Sequence, residues 1–168
     1  MKVYLFLIPF LLLACGGKAP NKAPVVTSDP TLHLSRNDEE LDRIAEQARK
    51  TLPAFIRRLR RPRDGDGNFR IKCPFRADSG SGFSREQIWL SDIHFSNGAW
   101  FGTAANTPFY ISGFKKGDTL SFSTDDITDW MYIHDGKIIG GLSIKYLLEQ
   151  IPENERDKDQ QAVRSLFP

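Results

Sequence analysis

Three features of the chain predict an α+β domain: an N-terminal amphipathic helix on a curved, mostly antiparallel sheet or partly open small barrel, with a short C-terminal helix. The first is an apolar stripe, Leu41, Ile44, Ala45, Ala48, Leu52, Phe55, Ile56 and Leu59, whose spacing puts one hydrophobic face on a helix. The second is a series of turn signals, Asn97-Gly98, Lys115-Lys116-Gly117-Asp118 and Asp135-Gly136, between short apolar runs. Tight turns of this kind join sequential antiparallel strands. The third is the alternation of Phe69, Ile71, Cys73 and Phe75 with Arg70, Lys72, Pro74 and Arg76, which describes a strand with one buried face.

Length and composition fit this class. A chain of 168 residues, 40% hydrophobic and 26% charged, holds one ordinary globular domain with sequence to spare for a tether. With 23 basic against 21 acidic residues, the bulk charge implies no nucleic-acid partner. Two cysteines, Cys15 and Cys73, do not make a disulfide framework.

The expected organisation is a signal peptide over 1–14, a flexible tether over 15–36 and one domain over 37–168. Lys2 followed by the apolar run Val3 to Leu13 reads as a secretory signal too short to span a bilayer. Leu12-Leu13-Ala14-Cys15 resembles a bacterial lipobox, which implies cleavage before Cys15 and acylation of its thiol. Gly16, where an aspartate would signal inner-membrane retention, implies by the same resemblance an outer-membrane anchor facing the periplasm. The tether carries Gly16, Gly17, Pro20, Pro24 and Pro30 with no apolar period, so it cannot bury enough surface to offset its entropy. His33 falls within it and is assigned no role.

The helix starts at a cap supplied by Asn37 or Asp38, with Glu39 and Glu40 at its positive dipole end. Pro53 removes one helical hydrogen bond, and because the stripe keeps its phase across it a kink is expected rather than a break. Arg57, Arg58, Arg60, Arg61 and Arg63 complement the negative end of the dipole. The alternative, docking to phosphate-bearing lipid or an acidic partner, stays open. Asp64-Gly65-Asp66-Gly67-Asn68 reads as a turn, because Phe69 and Phe75 occupy positions a calcium loop gives to glycine and glutamate.

In the sheet, Pro74 suggests an edge position or a bulge, and Cys73 is expected to be a buried free thiol. From Glu86 to Phe95 the apolar residues fall on both faces, Trp89, Ile93 and Phe95 on one and Ile88 and Leu90 on the other, so that strand is expected to be central or covered on both sides. Ala99 to Ala104, the short run Phe109 to Ile111, and Thr119 to Thr124 continue the series. Leu142 to Gln150 fits both periods, and the reading adopted is a strand from Ile138 passing into a helical turn. A polar helix is expected from Pro152 to about Leu166.

The densest stretch is Ser123 to Gly141, with Asp125, Asp126, Asp129, Trp130, Tyr132, His134 and a Gly-Gly pair. Together with Lys50-Thr51-Leu52-Pro53, Phe55-Ile56, Trp89-Leu90-Ser91-Asp92, Asn106, Pro108 and Lys116-Gly117-Asp118, it resembles the YegJ-like bacterial domain of unknown function, DUF 2314. Asp126-Ile127-Thr128-Asp129-Trp130-Met131-Tyr132 and Gly140-Gly141 carry the resemblance furthest. It implies an α+β domain and brings no activity with it.

Catalysis finds little support in spacing. Asp92, His94, Asp125, Asp126, Asp129 and His134 are the acid/base or metal candidates, yet there is no His-Glu-x-x-His and no Gly-x-Ser-x-Gly elbow. No catalytic, cofactor or metal residue is assigned. The expected function is a lipid-anchored binding domain, either envelope-associated or toxin-neutralising, attached to the bilayer at Cys15 and facing a protein partner in the periplasm. Its expected contact surface is Asp125, Asp126, Asp129, Trp130 and Tyr132, since aromatics beside charge make interface hot spots. The alternative is a metal-dependent or acid/base hydrolase acting on envelope material.

Overall fold

The computed structural model describes residues 39–168. The signal peptide, Cys15, the tether and the capping residues Asn37 and Asp38 lie outside the described residues. In order come α1 (Glu39–Arg60), β1 (Asp66–Arg76), β2 (Arg85–Ser96), β3 (Ala99–Ala104), β4 (Thr119–Phe122), β5 (Asp129–His134), β6 (Lys137–Gly140), α2 (Leu142–Glu149) and α3 (Lys158–Leu166). The strands form one six-stranded sheet in the order β4-β3-β2-β1-β5-β6, with each neighbouring pair antiparallel. The sheet does not close into a barrel, and the α+β architecture follows the expectation.

β1 is central because its alternation serves two layers. Ile71 and Cys73 face α1, whose Leu52 and Phe55 join them with Ile88, Leu90, Ala104 and Ile127 in one core. On the opposite face Trp89, Met131 and Ile138 pack against Ile144 and Leu148 of α2 and against Phe167 beyond α3. Burying α1's stripe supplies most of that helix's stability, since an isolated amphipathic helix is marginal in water. α1 continues through Pro53 as one element.

Several local expectations change. Asp66 to Asn68, expected in a turn, already belong to β1. Pro74 lies in the central strand, but beyond Lys72, where pairing with β5 ends, so it has a strand neighbour on one side alone. That satisfies the rule that a missing amide donor needs an open flank. Phe109 to Ile111 is a loop. Residues 142–149 are a helix, and Pro152 opens a 3-10 turn over Glu153–Glu155 rather than the final helix. α3 starts later because Asp157 is the better cap. Its carboxylate accepts from Gln160 N at 2.8 Å, while Gln160 Oε1 accepts from Asp157 N at 3.1 Å, a closed capping box.

β2 is an interior strand covered on both faces at Ile88, Trp89 and Leu90, as expected, but its later residues change face. Ile88, Leu90 and Ile93 all join the core under α1, while Trp89 belongs to the opposite one. The pairing of β2 with β3 shifts register between Ser91 and His94, and Asp92 there has φ 48°. The phase change in the sequence was the mark of a β-bulge, and a bulge moves every later side chain to the other face.

Candidate functional site

Ser123 to Gly141 forms the corner where the sheet meets both helical layers. Ser123 Oγ accepts from Asp125 N at 3.2 Å, which holds Asp125 and Asp126 in an exposed 3-10 turn. Four residues on, Asp129 is 1% exposed. Trp130 donates from Nε1 to Ala48 O and Thr51 Oγ1 of α1, both at 3.1 Å. Tyr132 stacks on Phe69 with centroids 5.1 Å apart, beneath the Arg58 guanidinium. The five residues expected to share a contact surface are therefore divided. Asp129 is interior because its carboxylate is consumed by backbone and helix, and Trp130 is a bridge to α1.

Asp129 organises a buried polar chain. Its Oδ1 accepts from Trp130 N at 2.8 Å, and its Oδ2 accepts from Ser143 N at 2.8 Å and from Ser143 Oγ at 2.7 Å. Ser143 lies in the first turn of α2, so the carboxylate satisfies an orphan helix donor and meets the positive end of the dipole. Lys72 Nζ, also buried, donates to Ser143 Oγ at 3.2 Å and lies 5.6 Å from the centre of the Trp89 ring. Burial pushes the Lys72 ammonium below its ordinary range and the Asp129 carboxyl above its own. The Ser143 hydrogen bonds, and the attraction between lysine and aspartate, oppose this for Asp129.

A lysine beside a serine hydroxyl invites comparison with a base–nucleophile pair. The hydrogen bonds run the other way. Lys72 Nζ donates to Ser143 Oγ, and the Ser143 hydroxyl in turn donates its hydrogen bond to Asp129 Oδ2. With Ser143 3% exposed, the chain Lys72–Ser143–Asp129 is arranged to fasten α2 to the sheet. Gly140 and Gly141 make that fastening possible. At Gly140, φ is +80° and a Cβ would fall 2.3 Å from Trp130 O, so no side chain fits where β6 turns towards α2.

A second polar cluster clamps the end of α1. Arg58 pairs through Nε and Nη2 with the enclosed carboxylate of Asp66, which also accepts from Arg63 N at 2.7 Å. His134 Nδ1 lies 2.9 Å from Asp66 Oδ1. The Arg58 hydrogen bond, ahead of those from Arg63 and His134, lowers the Asp66 pKa to about 2. Cys73 is a free buried thiol, as expected, and burial pushes it up to about 12, which makes it unreactive at neutral pH.

The accessible polar ground lies elsewhere. β1 has its own irregularity between Gly67 and Arg70, with Asn68 at φ 51°, next to the β2 bulge at Asp92. Between these bulges and the end of α1 opens a cleft of about 460 Å³, with Leu59, Phe69 and Ile93 as apolar walls and Arg70, Ser91 and Asp92 as polar ones. Left-handed non-glycine residues and bulges gather where a side chain must be re-aimed, and both occur here on adjacent strands. Asp92 is exposed, and its carbonyl lies 2.9 Å from His94 Nδ1. Among the described residues no three His, Cys, Asp or Glu side chains are grouped as metal ligands would be. Sequence reading missed Lys72 and Ser143, because a lysine on the polar side of an alternating strand looks solvated until α2 covers that side.

An α+β fold built on an open six-stranded antiparallel sheet, with Trp89, Asn106 and Asp129 of its motifs turned inward, is the class these observations define. The chain belongs to the family of uncharacterised proteins conserved in bacteria designated DUF2314, whose model matches residues 38–164. It is 29% identical over 158 residues to the uncharacterised protein YegJ of Escherichia coli K12, covering 94% of this chain and 95% of that one. It is also 31% identical over 134 residues to a putative ankyrin repeat protein of Neisseria meningitidis serogroup B, covering 77% of this chain and 53% of that one. The chain thus spans about half the length of the Neisseria relative. No solved structure matches it.

Proposed function

We propose that this DUF2314 chain is a lipoprotein of the bacterial envelope whose domain is a non-catalytic binding module. The anchor would be acylated Cys15, in the segment Leu12-Leu13-Ala14-Cys15, with Gly16 directing the protein to the outer membrane and the domain facing the periplasm. Several acyl chains hold a protein durably, since each buried methylene contributes about 0.8 kcal/mol.

The observation that carries the binding reading is the cleft between the two bulges. There polar side chains, Arg70, Ser91 and Asp92, meet apolar walls within reach of solvent. Asp129 of the Asp-Trp corner is engaged in the fold, so the contact surface moves from that corner to the cleft, while Asp125 and Asp126 remain exposed at the corner as a secondary patch. A protein partner fits an open, mixed lining of this kind, and a toxin neutralised in the periplasm or an envelope-maintenance factor are the two partner types.

Two measurements test this. Metabolic labelling with a palmitate analogue should mark the wild type and not Cys15→Ser; an unlabelled wild type contradicts the anchor. Crosslinking in intact cells from a photoreactive residue at Asp92 should capture one specific protein, and an equivalent probe at Lys145 should not. Identical patterns from the two positions, or turnover of a cell-wall substrate by the purified protein, contradict the binding reading.

A further inference from the structure

The C-terminal end of α1 presents Arg57 and Arg60 to solvent, with Arg61 exposed just past it and bonded through its N to Arg57 O at 3.1 Å, and the spacing of three and four residues puts them on one side. Among the described residues no carboxylate lies within ion-pair distance of these three, whereas Arg58 on the neighbouring face is spent on Asp66. The basic face runs directly into an aromatic row. Phe95, Trp100 and Phe122 sit opposite one another on β2, β3 and β4. Phe95 meets Trp100 edge-on at 5.3 Å, Trp100 stacks towards Phe122 at 6.1 Å, and the Arg60 guanidinium lies 5.8 Å over the Trp100 ring. Phe95, at the mouth of the Asn97-Gly98 turn, is 56% exposed. The bulge at Asp92 is what places it on this face, next to the arginines.

We propose that this rim is a membrane-docking surface that seats the domain on an anionic phospholipid bilayer, with Arg57, Arg60 and Arg61 on headgroup phosphates and Phe95 and Trp100 at the headgroup boundary. Guanidinium groups match phosphate oxygens, and an indole beside a phenyl ring suits the interface where one side is apolar and the other wet. Clustered basic residues near an anionic leaflet gain affinity together, and an exposed aromatic supplies the apolar part. Asp64 and Asp92 are also exposed, and as anions they oppose docking to an anionic surface, which the three arginines must outweigh. The reach is adequate. α1 is about 33 Å long at 1.5 Å per residue. The chain between Cys15 and Glu39 can extend to roughly 80 Å at about 3.4 Å per residue. An anchored N-terminus and a docked far end of α1 are therefore compatible. The inference rests on the lipoprotein reading for its biological setting, but the rim's lipid affinity is measurable without the acyl group.

The test uses the mature chain carrying Cys15→Ser, so that no acyl group contributes. It is mixed with vesicles of phosphatidylcholine alone or of phosphatidylcholine with phosphatidylglycerol, some with brominated acyl chains. The expected result is sedimentation with the anionic vesicles only, weakened by added salt, together with bromine quenching of tryptophan fluorescence that Trp100→Phe removes. Arg57→Gln/Arg60→Gln/Arg61→Gln should weaken binding about a hundredfold, Phe95→Ser several-fold, and the corresponding triple lysine variant should keep most of it. Equal binding to neutral and anionic vesicles, an unaffected triple glutamine variant, or a rim that captures a protein while ignoring vesicles would each overturn the proposal. Loss of palmitate label at Cys15 leaves this result standing, so failure of the anchor and failure of the rim are told apart.

Discussion

The corner around Asp129 and the rim around Arg60 are built from the same kinds of residue, acid or base beside tryptophan, and they end up opposite in character. At the corner, α2 covers the sheet, and Lys72, Ser143 and Asp129 have given up water for one another. At the rim, two bulges turn the strands aside at the end of α1, and Arg57, Arg60, Arg61 and Phe95 keep their water. What separates them is cover, not composition. A charge enclosed on every side is constrained to hold the fold, because breaking such a pair leaves an uncompensated ion. A charge at an uncovered edge contributes little to stability and stays available to a partner.

The contrast can be broken first at the corner. Asp129→Ala strips three acceptor contacts from Trp130 and Ser143 and isolates the Lys72 ammonium. The expected loss is about 3–5 kcal/mol, read as a lower denaturant midpoint with an unchanged slope. Gly140→Ala should cost about 2–3 kcal/mol, because it adds a Cβ at a left-handed φ and against Trp130 O. Trp130→Phe keeps the ring and removes the indole donor to Ala48 O and Thr51 Oγ1, for about 1 kcal/mol. At the small end, Phe95→Ser should change stability by less than about 0.5 kcal/mol, measured by the same unfolding curve.

Acid titration separates two enclosed carboxyls by sign. Asp66, lowered from 3.8 to about 2 mainly by Arg58, stabilises the fold fully above pH 3.8, and that stabilisation disappears as pH falls through about 2. Asp66→Asn should therefore flatten the stability profile between those values. Asp129 is displaced upwards from 3.8, mainly by burial, so its contribution is greatest below that value and declines as pH rises through its folded pKa. Asp129→Asn should remove a slope of the opposite direction. Two profiles of the same sign would contradict this assignment of environments.

Much of the fold was legible in the chain, and the failures have physical causes. The stripe of α1 and the Asn97-Gly98 and Asp135-Gly136 turns identified their elements because local chemistry and tertiary packing agree there. Lys72 and Asp129 were unreadable, since their burial depends on α2 arriving from far along the sequence. The double cover of β2 was legible, but the phase flip at Asp92 was not, since its apolar pattern fits an unbroken strand until pairing with β3 is known. Ser143 carried no local signal, and its role exists only because Gly140-Gly141 turns α2 towards Asp129.

The division between a fastening corner and a contacting rim is tested most directly by vesicle binding of Asp129→Asn, in the mature Cys15→Ser chain, at a temperature where circular dichroism shows the variant folded. Binding to phosphatidylglycerol-containing vesicles is expected within about twofold of the parent, since distant sites without shared partners act independently. A folded Asp129→Asn protein that no longer binds would contradict that division, and would return the contact surface to the Asp-Trp corner.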